Sequence, residues 1–382
     1  MKTNRFYIIV AATVLLMTSC RNNDSCMLTI INEDGTCSRE MSFHPYPQEV
    51  MAQLNEPIEN NGLHYGADWQ RTWSVVGDSV RHPCPMTEAQ WDSLRRPEEV
   101  VSNKVLMHAK RNYQNVSEMS DSLTSMVRHL FKATASLDKH FKWFYTDYVY
   151  QETLAITNLE QIFSVPLERF VSADIASYWF TGQPNLSDGL TGAEQKKLLD
   201  DIEANISHWL SACTMSFVYA QACLRYDEVK NPPVSKEQFV DLKDSIVMSP
   251  AVRNLDLFCD ISQVSKIIKD FYHSDAYTPL FSDSKEWEHR LNTKYKSYEY
   301  LMMMAPTLDY VMPGKVMDAG AGVVDAGVVH YKFSGERLIP HPYDVVITSR
   351  VTNVWAFVAT FLIILVAVGS FFYRHKRKSG DS

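Results

Sequence analysis

Residues 354–373 read VWAFVATFLIILVAVGSFFY, with no charged side chain. As a helix, twenty residues extend about 30 Å, the thickness of a bilayer's hydrocarbon core. Trp355 stands near one end, and Phe371, Phe372 and Tyr373 near the other. Interfacial aromatics are placed in this way. Arg374, His375, Lys376, Arg377 and Lys378 follow at once; by the positive-inside rule they put the C-terminus in the cytoplasm. Everything before residue 354 is therefore expected on the far side of a membrane.

The N-terminus gives the same address. Lys2 and Arg5 precede an apolar run from Phe6 to Met17, and small polar residues follow. That is the layout of a secretory signal over 1–19, and the run is too short to span a bilayer comfortably. Leu15-Leu16-Met17-Thr18-Ser19-Cys20 resembles the lipobox of bacterial lipoprotein precursors. That resemblance implies a diacylglycerol on Cys20 and cleavage just before it. Met17 departs from the Leu usual three residues before the cysteine; Thr18 and Ser19 fit. Two tethers to one membrane, with the helix by far the stronger, predict an inner-membrane protein with a large periplasmic part.

Between the tethers lies enough chain for two domains or one large one. The whole chain has 37 basic and 45 acidic residues. Removing Lys2, Arg5 and the four tail bases leaves 31, and removing Asp381 leaves 44, about 13 net negative charges. No basic stripe is present, so nucleic acid is not an expected partner. The spread of the acidity fits solubility near an anionic surface. Six further cysteines, Cys26, Cys37, Cys84, Cys213, Cys223 and Cys259, show no zinc spacing. Cys213 and Cys223 on one helix would lie about 15 Å apart along its axis, too far for a disulfide. Mostly free, buried cysteines are expected.

Asp34-Gly35 within CMLTIINEDGTCSREMSF predicts a hairpin with a two-residue turn. It sets Ile30 opposite Arg39 and Leu28 opposite Met41. Cys26, Leu28, Ile30, Cys37, Met41 and Phe43 then share the buried face. Alternation predicts strands at Trp69–Val75 and Lys104–Lys110. FKWFYTDYVY, 141–150, reads as one aromatic buried strand. Short helices fit at 88–96, capped by Thr87 and Gln90, and at 117–132.

From about 165 to 305 the period becomes helical. After Thr191, with Glu194 completing a capping box, Leu198, Ile202, Ile206, Trp209, Cys213, Phe217, Ala220 and Leu224 form one stripe. Pro232-Pro233 is expected to end it. Further helices are expected at 166–180, 235–247, 254–273 and 284–304. Alternation resumes at 328–333 and 344–351.

The expected fold class is therefore α+β. A membrane-proximal β-rich part is made from both ends of the ectodomain, 20–160 and 306–351. A helical block, 161–305, is inserted between them. A transmembrane helix, 352–373, and a basic tail, 374–382, follow.

Lys142-Trp143-Phe144-Tyr145-Thr146, Met312-Pro313-Gly314 and Ser349-Arg350-Val351-Thr352-Asn353-Val354-Trp355 make this layout similar to envelope lipoproteins common in Bacteroidota that have no assigned activity. The resemblance implies an architecture and an address, and brings over no catalytic residue.

Chemistry is sparse. Gly320-Ala321-Gly322 in DAGAGVVDAG lacks the third glycine and the βαβ unit of a dinucleotide fingerprint, so turns between short strands are expected. No P-loop, H-E-x-x-H or G-x-S-x-G occurs. His82, His330 and His341 fall in β segments, but their spacing demands no metal. Asp138, Asp147 and Glu152 sit among aromatics as in a glycosidase cleft, a reaction that needs two carboxyls at a set separation. No catalytic, cofactor or metal residue is assigned, and lipidation at Cys20 is the one site. The expected function is non-enzymatic, through contacts with a periplasmic or membrane protein beside the lipid bilayer. The alternatives are an apolar-ligand module near the bilayer, built on the Lys142–Tyr150 aromatics, and an envelope glycan or peptide hydrolase.

Overall fold

The computed structural model describes residues 25–51, 58–60, 63–65, 68–95, 100–122, 131–255 and 259–379. The expected signal segment, 1–19, and the expected lipidation site, Cys20, lie outside them.

Among the described residues, twelve strands form two stacked sheets, and two short strands pair separately. The first run of elements is β1 (Cys26–Ile31), β2 (Cys37–Phe43), α1 (Pro47–Met51), β3 (Ile58–Asn60), β4 (Leu63–Tyr65), β5 (Gln70–Val75), β6 (His82–Pro83), α2 (Glu88–Ser93), β7 (Val105–Tyr113), α3 (Val116–Ser122), β8 (Phe131–Phe141) and β9 (Tyr145–Ile156). Helices α4 (Leu159–Ile162), α5 (Ala173–Thr181), α6 (Gly192–Leu224), α7 (Lys236–Asp241), α8 (Lys243–Val247), α9 (Ile261–Tyr272) and α10 (Ser284–Met303) follow. Then come β10 (Thr307–Val311), β11 (Lys315–Asp318), β12 (Val323–Asp325), β13 (Val328–Lys332), β14 (Tyr343–Thr352) and α11 (Val354–Ser379).

The larger sheet runs β12-β13-β10-β1-β2-β7-β5-β6 and the smaller β11-β14-β9-β8. Late strands are built into both: β10 pairs parallel with β1, and β14 pairs antiparallel with β9. The chain is thus mixed α+β, with one apolar C-terminal helix. Its Val354–Phe372 segment is long and apolar enough to cross a membrane.

The β1–β2 hairpin departs from the expected register. Thr29 faces Arg39 and Met27 faces Met41, one residue away from the two-residue-turn pairing. Gly35 takes φ +96°, and Asn32 N–H reaches Thr36 O at 2.9 Å. The loop is thus Glu33-Asp34-Gly35, with the glycine in the left-handed bulge position. A one-residue slip exchanges the faces of a strand. Met27, Thr29 and Ile31 are therefore buried, and Cys26, Leu28 and Ile30 only half-buried.

Residues 141–150 are not one strand. Phe141 ends β8, Tyr145 begins β9, and Lys142 and Tyr145 exchange backbone hydrogen bonds at 2.8 and 3.2 Å. The aromatic run turns a corner, with Trp143-Phe144 as its tip. The expected helix at 117–132 is α3 at its start, whereas Phe131 and Lys132 are already in β8.

Among the helices, α6 carries the capping box read from Thr191 and Glu194. Ile202, Ile206, Trp209 and Cys213 are buried as expected. It stops at Leu224, well before Pro232. There Arg225 leaves the helix to bind Glu228 and the Leu280 carbonyl, and Tyr226 enters an aromatic cluster with Phe239 and Tyr277. The segment Gly335–Leu338 ties the helices to the sheets. Gly335 N–H donates to Met304 O, and a Cβ at Gly335 would stand 2.2 Å from Leu301 O.

Candidate functional site

Three polar or aromatic constellations stand out from the apolar core.

The first lies between the sheets. Arg39 on β2 and Glu152 on β9 are fully buried and paired, at 2.9 Å between Nη2 and Oε2. Arg39 Nη1 also donates to Glu152 Oε1, and Arg39 Nε to Thr29 Oγ1, each at 3.0 Å. The hydroxyls of Tyr150 and Tyr310 both donate to Glu152 Oε2 at 2.8 Å. Burial first, and the Glu152 charge second, push both phenols well above their ordinary value, so both stay neutral donors. Every oxygen and nitrogen of the ion pair is engaged, so the network joins the two sheets at one register. It offers no open position for a ligand.

The second lies on the opposite face of the larger sheet. Ser74 Oγ stands 3.0 Å from His108 Nε2, and Ser42 Oγ 2.8 Å from His108 Nδ1. Glu40 Oε1 is 3.5 Å from the same Nδ1 and bridges Arg81 at 2.7 Å. The connectivity is that of a nucleophile–base–acid triad. Two features argue for a structural role. Ser74 is only 3 % exposed, and Nδ1 is closer to Ser42 than to the carboxylate. Burial alone would raise the Glu40 pKa; hydrogen bonds from His108 and Arg81 outweigh it and bring the group down to about 2. Sequence alternation treats His108 as an outward residue. Only the β2–β7–β5 registers set Ser42, His108 and Thr72 in one row.

The third is the junction of the smaller sheet with α11. Residues 142–146, 312–314 and 349–355 meet here. β14 runs into α11 through Asn353, which holds the β8–β9 tip. Asn353 N–H donates to Phe144 O at 2.9 Å. Its Nδ2 donates to Lys142 O at 2.8 Å and Trp143 O at 3.3 Å. Its Oδ1 accepts from Thr146 Oγ1 at 3.2 Å. Trp143 Nε1 donates to Thr360 Oγ1 at 2.8 Å, two turns down the helix. Phe141 stacks on Trp355, Trp143 meets Trp355 edge-on, and Phe144 meets Phe357. Ala356, fully buried, leaves room for the tip. Beside it Arg350 binds Asp147 at 2.6 Å and lies 3.8 Å over the Tyr145 ring. Gly314, at φ +72°, presses on the same strand, and a Cβ there would meet Arg350 O at 2.2 Å. No linker separates the sheet from the helix.

The three histidines singled out from sequence do not converge. His82 stacks on Trp73 at one edge of the larger sheet; His330 binds Asp309 at 2.7 Å near the other edge. His341 lies by Ser177. Among the described residues no three His, Cys, Asp or Glu side chains are grouped to hold a metal. Asp147 and Glu152 project from opposite faces of β9, because their separation in sequence is odd. Asp138 pairs across from Val149 and so shares the Asp147 face. Gly320-Ala321-Gly322 is a turn between β11 and β12. None of the six described cysteines forms a disulfide.

No protein-family model, no curated protein and no solved structure matches the chain.

Proposed function

We propose that the chain is a membrane-anchored envelope lipoprotein without enzymatic activity, which presents a periplasmic surface to a protein partner. It is tethered twice to the inner membrane, by lipid on Cys20 and by α11, with the basic tail in the cytoplasm. The sandwich stands next to the bilayer and the helical block projects from it.

The observation that carries this reading is the junction at Asn353. A domain that only needs to be kept at a membrane can hang on a flexible linker. Here the last strand becomes the spanning helix with no intervening loop, and a second hairpin is bonded to that helix. Such a joint fixes the height and tilt of the ectodomain, which matters when one of its surfaces must meet another protein. The Ser74, His108 and Glu40 trio supports the hydrolase alternative in connectivity alone; of the carboxylates named for a glycosidase cleft, Glu152 is buried on the face opposite Asp138 and Asp147, and Asp147 is bound by Arg350. Of the aromatics that could line an apolar ligand surface, Trp143 and Phe144 are engaged with α11, Tyr145 lies under Arg350, and Tyr148 and Tyr150 are buried.

The test is cross-linking in cells of the intact chain and of a variant with a Gly-Ser insertion between Thr352 and Asn353. Partner adducts recovered from the intact chain and lost from the insertion variant, at equal membrane content, support the proposal. No reproducible adduct, or adducts insensitive to the insertion, contradicts it.

A further inference from the structure

We infer that the tip of the β8–β9 hairpin, Phe141 to Phe144, is a lipid-facing wedge seated in the periplasmic leaflet of the bilayer that α11 crosses. This rests on the reading of Val354–Phe372 as membrane-spanning.

Depth is the first argument. Trp143 is hydrogen-bonded to Thr360, six residues, or about 9 Å, below Val354. The helix cannot slide outward to lift Thr360 to the surface. Only Phe361 to Tyr373 would then remain before Arg374. Those thirteen residues extend about 20 Å, against a hydrocarbon core of about 30 Å. With the span in place, the indole must lie below the headgroups.

Chemistry is the second. Phe141, Trp143 and Phe144 are 60 %, 45 % and 39 % exposed, three large apolar side chains at one corner and continuous with the exposed face of α11. Trp143 lies deeper than an interfacial Trp usually does, and the bond to Thr360 satisfies its indole N–H there. Lys142, between them, is exposed and long enough to carry its ammonium up to phosphates.

Backbone satisfaction is the third. Polar backbone placed in lipid must find its partners within the protein. The carbonyls of Lys142, Trp143 and Phe144 all accept from Asn353, and the indole N–H is taken by Thr360. The three backbone carbonyls of the tip and its indole N–H are thus satisfied within the protein.

The test places the photo-crosslinker p-benzoylphenylalanine at position 141, 144, 361 or 80 of the full chain. Each protein is reconstituted into phosphatidylethanolamine–phosphatidylglycerol vesicles, and phospholipid adducts are read by mass. Position 361 lies on the exposed face of the span, and position 80 is exposed on the β5–β6 connection. Adducts at 361 and at a tip position, with none at 80, are expected. Adducts at 361 but at neither tip position overturn the wedge and leave the spanning helix standing. Loss of adducts at 361 overturns the spanning reading itself, and the wedge with it. Equal adducts at 80 and at the tip also overturn the wedge, since the tip would then behave as any exposed residue.

Discussion

Trp143 Nε1 donates to Thr360 Oγ1 at 2.8 Å, across 217 positions of sequence. This bond joins the tip of one hairpin to the interior of an apolar helix. With the four contacts of Asn353, it makes the smaller sheet and α11 one mechanical unit.

Gly314 is required for that unit. It combines φ +72° with a Cβ position 2.2 Å from Arg350 O, whereas Gly189 has φ +75° and open space. Both Gly→Ala changes carry backbone strain of about 1–3 kcal/mol. Only Gly314→Ala adds a clash with β14. Its thermal midpoint is expected to fall clearly below that of Gly189→Ala, and equal midpoints would remove the close approach from the account of the joint.

The Arg39–Glu152 pair fixes how the sheets meet. Glu152→Ala strands a fully buried guanidinium and should cost about 3–5 kcal/mol, as for other broken buried pairs. Denaturant unfolding of the purified chain measures it. Asp147→Ala breaks a partly exposed pair with Arg350 and should cost much less than Glu152→Ala.

Glu40 predicts acid sensitivity. Its carboxyl is held at about 2, below its ordinary value near 4.5. A depressed folded pKa gives stability that is present above pH 4.5 and lost as pH falls from there toward 2. Glu40→Gln should flatten the stability profile within that window. An unchanged profile would show that His108 and Arg81 do not hold this charge.

Ser74 separates a structural trio from a catalytic one. Buried at 3 % exposure, it should resist a fluorophosphonate probe in the folded chain. Labelling at Ser74 that disappears in His108→Ala would restore the hydrolase reading.

Local signals made much of the fold legible. The capping boxes at Thr87 and Thr191 need only four adjacent residues, and both form. The apolar stripe of α6 and the alternation in β5 and β7 are equally local. The rest depends on distant partners. Lys142-Trp143-Phe144-Tyr145 contains no glycine, asparagine or aspartate, and none of these residues takes a positive φ. Nothing local marks it as a turn, because Asn353 holds it from the far end of the chain. Arg39 falls on the face of Cys37 and Met41 by alternation, and a charge on that face makes sense only once Glu152 is brought opposite it. His108 gains its serines only when three strands fall into register. The junction was visible as three separate stretches, and their meeting was not.

Amide hydrogen exchange at residues 349–356 of the reconstituted full chain tests the rigid joint most directly. Asn353 N–H is donated to Phe144 O and Ala356 N–H to Asn353 O, each at 2.9 Å. A single body predicts strong protection of this segment. Asn353→Ala, which removes the side-chain bonds at about 1 kcal/mol each, should speed its exchange about tenfold or more. Exchange of the unaltered chain at the rate of an unstructured peptide, unchanged by the substitution, would contradict it.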